Sequence, residues 1–307
     1  MKVLIVARYK EKGFAPFVTE QVEALKGLGI ECRFFPVKSR GVAGYLKHVP
    51  ALRRAIKEFQ PDIVHAHYGL CGLLANLQRC VPVVTTYHGS DINNPKVRPF
   101  SRMAICLSRF NIFVSQKIMD IVGPQDRYAL IPCGIDLADF PVMDKAEARR
   151  QMGLSPDGRY VLFAGAFVNS VKNALLAQKT VSQLPGVELI ELKGFTRAQV
   201  AVLLQVVDSL LMTSHFEGSP QIIKEALACG CPIVSVDVGD VRERIQGVDG
   251  CSIALSRNPE ELAELLEKAL AFPGRTSGRE RILSDELENH RVAEKLLNVY
   301  QKVMKQS

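Results

Sequence analysis

The stretch HFEGSPQIIKEALACGCPIVS, residues 215–235, decides the fold class. It begins after the strand-like run 209–212, contains a helix-like segment at 220–229, and ends on a second strand-like run at 232–236. Strands and helices that alternate through short links are typical of a parallel sheet covered by helices. The stretch therefore predicts an α/β domain.

The start of this helix is a predicted anion site. Ser219 is expected to cap the helix, with Pro220 at its first position. The unbonded N–H groups and the dipole of a helix N-terminus favour a phosphate. Glu217 precedes the terminus, and Glu225 lies on the helix, whose side chains lean toward its N-terminus. We expect the two carboxylates to converge on a ligand held there.

The same alternation runs through the chain and is interrupted after Pro132. It predicts two doubly wound Rossmann-like α/β domains that face each other across a cleft, with ligands at the carboxyl ends of the strands. The predicted segments are an N-terminal domain, a linker, a C-terminal domain and a long amphipathic helix, at residues 1–140, 141–155, 156–285 and 286–307.

Several elements are predicted individually. Strands are expected at 187–191 and 209–212, and one helix is expected over 45–59. Thr196 and Gln199 have the T-x-x-Q spacing of a capping box at the start of another helix.

Composition restricts the class of protein. The 307 residues are 47% hydrophobic and 23% charged, which is ordinary for a folded chain and excludes disorder, collagen and coiled coil. No apolar run approaches the roughly 18–20 residues of a transmembrane helix, and the first apolar run is too short for a secretory segment. The eight scattered cysteines are expected to be reduced, buried thiols without a zinc pattern. We predict a cytoplasmic protein.

The net excess of positive charge lies in the first half of the chain. Residues 1–143 hold 19 lysines and arginines against 11 aspartates and glutamates, whereas the remaining residues hold 20 against 21. A basic half favours an anionic partner, which could be nucleic acid, a phosphate-bearing ligand or an anionic membrane face. A basic surface without a partner is the alternative.

Histidines occur at two predicted strand ends. TTYHGSD, residues 85–91, places His88 at the carboxyl end of a strand, and PDIVHAHYG, residues 61–69, contains His65 and His67. A His-x-His pair could bind a metal, but no carboxylate or thiol lies close in sequence. We therefore expect these two rings to line the cleft or to pack at the strand end, and we predict no metal site.

Together these stretches resemble the retaining glycosyltransferases of family 4 (glycosyl transferases group 1), which have the GT-B fold, and the resemblance covers nearly the whole chain. It implies that Glu225 binds the ribose hydroxyls of a nucleotide and that Glu217 contacts the donor sugar. The backbone expected near the diphosphate and sugar is that of Gly218, Ser219, Pro220 and Gln221.

The resemblance also assigns residues in the first domain. His88, Gly89 and Asp91 meet the H-G-x-D pattern of the family, whose histidine lies beside the donor sugar and stabilises transition-state charge. Asp91 is also a candidate for the acceptor or sugar loop. So is Gly13 in RYKEKGF, residues 8–14, where many relatives have two glycines.

The loop that opens the second domain departs from the family. In FAGAFVNSVKN, residues 163–173, Lys172 fits the lysine that reaches the diphosphate, but Ala166 occupies the position of the usual arginine. The phosphate clamp is therefore expected to have one cation fewer. Either another base substitutes or the donor binds more weakly.

The implied function is transfer of a sugar from a nucleotide diphosphate sugar to an acceptor hydroxyl, with retention and without metal or other cofactor, in cell-surface polysaccharide or glycolipid assembly. The leaving phosphate accepts the acceptor proton, so Glu217 positions the sugar. The second domain binds the donor, the first domain binds the acceptor, and the final helix packs back on the first domain. The expected acceptor is a glycan or a polyprenyl-diphosphate-linked sugar, with peripheral contact to the anionic inner face of a membrane and no nucleic acid.

Three alternatives remain open at this stage. A nucleotide-sugar 2-epimerase shares the fold, but it needs a carboxylate cluster that the first domain does not offer beyond Asp91. A non-catalytic nucleotide-sugar-binding relative would not need His88, Lys172, Glu217 and Glu225. Nucleic-acid binding would suit the charge, but the basic half has little aromatic interleaving and no known motif.

Overall fold

The structure is a computed structural model that describes residues 1–11, 13–39, 41–123 and 125–305. The chain forms two compact units, of which the first comprises Met1–Gly134 with Leu287–Ser307 and the second comprises Ile135–Glu286. Each unit is an α/β fold around one parallel sheet. Among the described residues, no helix has both the length and the apolar character needed to cross a membrane.

The first unit has a six-stranded sheet. Its strands are β1 (Lys2–Arg8), β2 (Glu31–Val37), β3 (Ile63–His67), β4 (Val83–Tyr87), β5 (Phe110–Phe113) and β6 (Tyr128–Leu130). They are all parallel and lie in the order β2-β1-β3-β4-β5-β6. Its helices are α1 (Pro16–Gly27), α2 (Gly41–Leu46), α3 (Val49–Phe59), α4 (Gly69–Asn76), α5 (Ser90–Asn93), α6 (Arg98–Leu107), α7 (Gln116–Val122) and a C-terminal helix (Asn289–Lys305).

Apolar faces on both sides of this sheet form its core. Strands β3, β4 and β5 are buried along their whole length, as expected for parallel strands covered on both faces. One face packs against α1 and the C-terminal helix, which buries Val292, Leu296, Val299 and Val303 at helical spacing. The C-terminal helix is therefore part of the first unit. Of the predicted segment 286–307, residues 306 and 307 lie outside the described residues.

Two predicted segments differ from the observed elements. The single helix expected over 45–59 is two helices, because Pro50 lies in the first turn of α3 and cannot donate a backbone hydrogen bond. The segment 141–155, predicted as a linker with a charged helix around 144–152, lies within the second unit, which begins at Ile135, and its helix spans Lys145–Met152. Its Arg149 is buried and donates to both carboxylate oxygens of Asp208 at 3.0 Å.

The second unit has a five-stranded parallel sheet. Its strands are β7 (Arg159–Phe163), β8 (Val187–Glu191), β9 (Ser209–Met212), β10 (Ile233–Val236) and β11 (Ser252–Ala254), in the order β11-β10-β9-β7-β8. Its helices are α8 (Lys145–Met152), α9 (Ala174–Val181), α10 (Arg197–Val206), α11 (Gln221–Ala228), α12 (Val241–Ile245), α13 (Pro259–Leu270) and α14 (Gly278–Ser284). The capping box at Thr196 and Gln199 is confirmed at the start of α10.

All eight cysteines are free thiols in the structure. Cys80 and Cys106 are exposed, so the expectation of burial is wrong for these two residues. Cys106 lies near the end of α6 and Cys80 lies between α4 and β4, so neither is within a strand.

Candidate active site

The predicted donor residues of the second unit meet at the carboxyl ends of β7 and β9. Lys172 ends a short 3₁₀ turn after β7, and Glu217 lies in the loop between β9 and α11. The Lys172 ammonium donates to Oε1 of Glu217 at 2.6 Å, and both side chains are largely buried. A Cβ at Gly165 would lie 2.5 Å from Cγ of Lys172, so this glycine leaves the space that the lysine stem occupies.

The start of α11 differs from the prediction in one respect. Pro220, not Ser219, is the N-cap residue, and it makes no side-chain hydrogen bond to the helix. The Ser219 hydroxyl instead donates to Oδ2 of Asp240 at 2.8 Å. Pro220 has no side-chain acceptor to offer the helix, and the positive end of the α11 dipole at this point favours an anion.

The buried carboxylate of Asp240 is bonded to the loop that precedes α11. Asp240 accepts from Ser219 and from Nε of Arg244 at 3.2 Å, and its burial raises the pKa of the carboxyl. Its Oδ1 has no hydrogen-bond partner in the part of the chain that the structure describes. The neighbouring Gly239 has φ +53°, and a Cβ there would lie 2.4 Å from the carbonyl oxygen of Gly218. The backbone of Gly239 thus packs directly against the backbone of Gly218, in the loop predicted to contact the sugar.

Glu225 lies on α11 and is largely buried beside Arg197. Nη1 of Arg197 is 4.0 Å from Oε1 of Glu225, and Nε of Arg197 is 3.2 Å from Oδ2 of Asp139. The guanidinium also lies over the Phe140 ring, 5.4 Å from its centroid. The predicted ribose-binding carboxylate therefore has a fixed cation next to it.

Sequence reasoning missed two cations in this region. Arg197 follows the capping-box residue Thr196 directly, which was the one local signal for it. Lys224 is wholly buried, and its ammonium donates to Oε1 of Gln221, the first residue of α11, at 2.7 Å. The wholly buried ammonium had no signal in the sequence, because an isolated lysine in a helix is normally exposed.

In the first unit, Asp91 anchors the loop that carries His88. Its carboxylate accepts from the backbone N–H groups of Gly69 at 2.9 Å, His88 at 3.1 Å and Gly89 at 2.9 Å. Burial raises the pKa of Asp91 to about 6, although these hydrogen bonds oppose the rise. Gly89 has φ +106°, which favours glycine at this turn. Asp91 therefore shapes the loop that follows β4.

Three histidines stack at the ends of β3 and β4. The rings of His65 and His67 have centroids 4.6 Å apart, and those of His67 and His88 are 5.3 Å apart. Nδ1 of His67 and Nε2 of His88 share a hydrogen bond of 3.1 Å, and Nδ1 of His88 lies 3.6 Å from Sγ of Cys133. His65 bonds Tyr300 of the C-terminal helix at 2.6 Å. His88 is thus held from two sides.

The two strand histidines are kept neutral by burial. His67 is completely buried, and desolvation lowers its pKa to about 3. Burial, followed by the charges of His67 and His88, also lowers the pKa of His65. Nε2 of His67 has no hydrogen-bond partner among the residues that the structure describes. Within those residues, no three His, Cys, Asp or Glu side chains are arranged to hold a metal ion.

Gly13, the other predicted loop residue, lines a cavity in the first unit. The cavity has a volume of about 500 Å³ and is also lined by Arg8, Tyr68 and Asp91. Gly13 has φ +100°, and its backbone exchanges two hydrogen bonds with Lys10 at 2.9 and 3.0 Å. The paired backbones of Lys10 and Gly13 therefore form part of one wall of the cavity.

The site combines a lysine, two carboxylates and the start of a helix at the carboxyl ends of strands. This combination defines a class: α/β proteins with a site suited to a phosphate-bearing ligand. Comparison with known families is more specific. Residues 8–139 match the family described as Glycosyltransferase Family 4, and residues 169–271 match the family described as Glycosyl transferases group 1. The chain belongs to these glycosyltransferases.

Individual relatives are distant. The putative teichuronic acid biosynthesis glycosyltransferase TuaC of Bacillus subtilis (strain 168) is 25% identical over 274 residues, covering 76% of this chain and 68% of the relative. A D-inositol 3-phosphate glycosyltransferase of Actinosynnema mirum is 26% identical over 271 residues, covering 69% of this chain and 65% of the relative. The chain spans about two thirds of the length of these curated relatives.

Solved structures confirm the fold. Sucrose-phosphate synthase from Thermosynechococcus elongatus has a TM-score of 0.86 at 17% identity and covers 100% of both chains. Anabaena HepE, in complex with UDP and glucose, has a TM-score of 0.72 at 16% identity and covers 98% of this chain and 100% of its own. The predicted class, two Rossmann-like α/β domains of the GT-B type, is thereby confirmed.

Proposed function

We propose that this protein is a retaining, metal-independent glycosyltransferase that moves a sugar from a nucleotide diphosphate sugar to an acceptor hydroxyl. The observation that carries the proposal is the Lys172–Glu217 pair in the region where α11 begins. One cation and a helix N-terminus can hold a diphosphate there, while a carboxylate is available for sugar hydroxyls.

In the proposed reaction the second unit holds the donor. Glu225 accepts hydrogen bonds from the ribose hydroxyls, and the backbone of Gly218, Ser219, Pro220 and Gln221 lies along the diphosphate and sugar. As the glycosidic bond breaks, negative charge grows on the leaving diphosphate. Lys172 and the N–H groups of α11 stabilise that charge. This chain has Ala166 where relatives have a second cation, so the helix start carries a larger share of the stabilisation.

The first unit binds the acceptor and contributes His88. The acceptor hydroxyl attacks the anomeric carbon from the face that the diphosphate leaves, and the leaving phosphate accepts its proton. Glu217 positions the sugar and forms no bond to it. His88 stabilises the positive charge that develops on the sugar, and His67 and Cys133 hold its ring.

The relatives support a role in cell-surface polysaccharide or glycolipid assembly. One is named for teichuronic acid biosynthesis, and others are named for transfer to an inositol phosphate. The excess of positive charge in the first half of this chain suits an acceptor such as a polyprenyl-diphosphate-linked sugar, presented at the anionic inner face of a membrane. UDP is the first nucleotide to test, because Anabaena HepE was solved with UDP and glucose.

A turnover assay tests the proposal. The protein is incubated with nucleotide sugars and a set of glycan and lipid-linked acceptors, and released nucleoside diphosphate and product are measured together. We expect a glycoside whose anomeric configuration, read by NMR coupling constants, equals that of the donor. An inverted product contradicts retention. An epimerised nucleotide sugar formed without acceptor supports the 2-epimerase instead.

A further inference from the structure

The cavity of the first unit has an unusual combination of walls. Its volume of about 500 Å³ is enough for a sugar-sized ligand. Much of its lining is apolar, including Phe14, Pro16 and Leu70. Two basic residues, Arg8 at the end of β1 and Lys10 just after it, also line it. The cavity therefore joins an apolar surface to a localised positive charge.

Arg8 has no ion-pair partner among the described residues. It is half-buried, and no carboxylate lies within salt-bridge distance of it in that part of the chain. Asp91, which also lines the cavity, accepts from three backbone N–H groups of the surrounding loops. A partly desolvated guanidinium without a carboxylate partner favours an anion from outside the chain.

Arg8 lies among the aromatic residues of this cavity. Burial raises the pKa of Tyr45 and Tyr68, and the positive charge of Arg8 opposes that rise. Both tyrosines line the cavity. The ring of Tyr68 also lies 4.6 Å from the ring of His88. The positive charge, the aromatic walls and the proposed catalytic histidine are therefore neighbours.

The backbone of Tyr68 is strained at this point. Its φ of 74° and ψ of 148° fall in a region that side-chain-bearing residues rarely adopt. Such strain persists where the surroundings enforce it, often at ligand sites. The strained residue lies at the end of β3, between the cavity and His88. A tyrosine in this conformation adds a second indication that the cavity binds a ligand.

We propose that this cavity binds a phosphate group carried by the acceptor, with Arg8 as its main ligand and Lys10 as a second cation, while Tyr45 and Tyr68 contact the group attached to the phosphate. The inference rests on the proposed function and specifies its acceptor as a phosphorylated molecule. Two sources share this chemistry: a sugar phosphate and a lipid-linked diphosphate.

Calorimetric titration with glucose 1-phosphate and with glucose tests the phosphate preference without any nucleotide sugar. We expect wild type to bind glucose 1-phosphate at least about 10-fold more tightly than glucose, as one charge-assisted hydrogen bond allows. Arg8→Gln is expected to abolish the preference, and Arg8→Lys to retain part of it. The matched control is Arg54→Gln, an exposed arginine of the same unit, which should keep the preference.

Three results separate the possibilities. If Lys172→Gln removes the preference and Arg8→Gln keeps it, the phosphate binds in the second unit and the proposal is wrong. Equal binding of glucose and its phosphate by wild type also overturns it. Lys10→Gln, at an exposed residue, serves if Arg8→Gln fails to fold, and it should lower the preference. If the titration succeeds but no sugar is transferred in the turnover assay, the proposed function fails and the phosphate site stands.

Competition identifies the source of the phosphate. Geranyl diphosphate is added to wild type saturated with glucose 1-phosphate, and the displaced sugar phosphate is measured by NMR. Displacement supports a lipid-linked diphosphate acceptor, and its absence supports a sugar phosphate. Direct titration of geranyl diphosphate into wild type and Arg8→Gln checks the site, and equal affinity of the two proteins for it contradicts a lipid-linked diphosphate held by Arg8.

Discussion

The ammonium of Lys172 donates a hydrogen bond of 2.6 Å to Oε1 of Glu217. The residue proposed to bind the diphosphate is therefore bonded to the residue proposed to contact the sugar. A donor diphosphate must therefore share Lys172 with a carboxylate of the same charge sign. This relationship lets the two roles be separated by substitution.

Removal of the Glu217 charge should not weaken nucleotide binding. In Glu217→Gln, Lys172 loses its competing carboxylate, and we expect nucleoside diphosphate affinity to be unchanged or up to about 5-fold higher, which corresponds to about 1 kcal/mol for a partly exposed ion pair. Turnover should fall because the sugar contact is lost. Calorimetry and initial rates measure the two effects, with Lys172→Gln as the variant that loses affinity. A large loss of affinity in Glu217→Gln would show that Glu217 itself holds the nucleotide.

Substitution of His88 should change chemistry and not donor binding. We expect His88→Ala to lower kcat by about 100-fold, within the range for one lost transition-state contact, and to leave nucleoside diphosphate affinity nearly intact. His290→Ala, an exposed histidine of the C-terminal helix, is the control and should behave as wild type. Normal turnover would make His88 structural, and lost nucleotide affinity would refute the assignment of the donor to the second unit.

The neutral histidine stack should make the first unit sensitive to acid. His67 has a pKa of about 3 in the folded chain against about 6.5 when unfolded, so the unfolded state binds more protons between these values. Stability is therefore lost as pH falls below 6.5. At pH 5 the loss from His67 amounts to about 2 kcal/mol.

The His67→Gln variant isolates this effect. The pKa of Asp91 is raised to about 6, which gives the opposite sign, with stability decreasing as pH rises from about 4 to about 6. That contribution is common to both proteins, and so is the burial of His65, which is the largest cause of its lowered pKa. We expect hydrogen exchange at β3 and β4 to show a smaller loss of protection between pH 7 and pH 5 in His67→Gln than in wild type. Equal losses of protection in the two proteins would mean that His67 is protonated in the folded chain over the same pH range as in the unfolded chain.

Transfer should survive a metal chelator. The charge on the leaving diphosphate is assigned to Lys172 and the start of α11, so excess EDTA should leave the rate within about 2-fold of its starting value. The rate is measured before chelation, after chelation, and after addition of Mg²⁺ or Mn²⁺. Complete loss that either cation restores would contradict the metal-independent mechanism.

Local signals in the sequence predicted much of the fold. The strands at 187–191 and 209–212 were expected at the residues where β8 and β9 occur, because short apolar runs between turn signals are typical of buried strands. The capping box at Thr196 and Gln199 was also found, because cap chemistry involves residues only three positions apart.

Features that depend on distant partners were not predictable. The hydroxyl of Ser101, a buried residue of α6, donates to the carbonyl of Asp91 at 2.8 Å. Ser219 was expected to cap α11, but its hydroxyl bonds Asp240, which is 21 residues away. The bond between His65 and Tyr300 joins residues 235 positions apart. Sequence spacing contains no information about such pairs.

The most direct test of the central claim is calorimetric titration of wild type with nucleoside diphosphates and their sugars. The account predicts that at least one of them binds, and that Glu225→Ala weakens it by about 10- to 150-fold with folding retained, since a charged hydrogen bond contributes about 1.5–3 kcal/mol. Glu188→Ala, at an exposed carboxylate of the same unit, should bind as wild type. If none binds, or if Glu225→Ala binds as tightly as wild type, the second unit does not hold a nucleotide donor at this site.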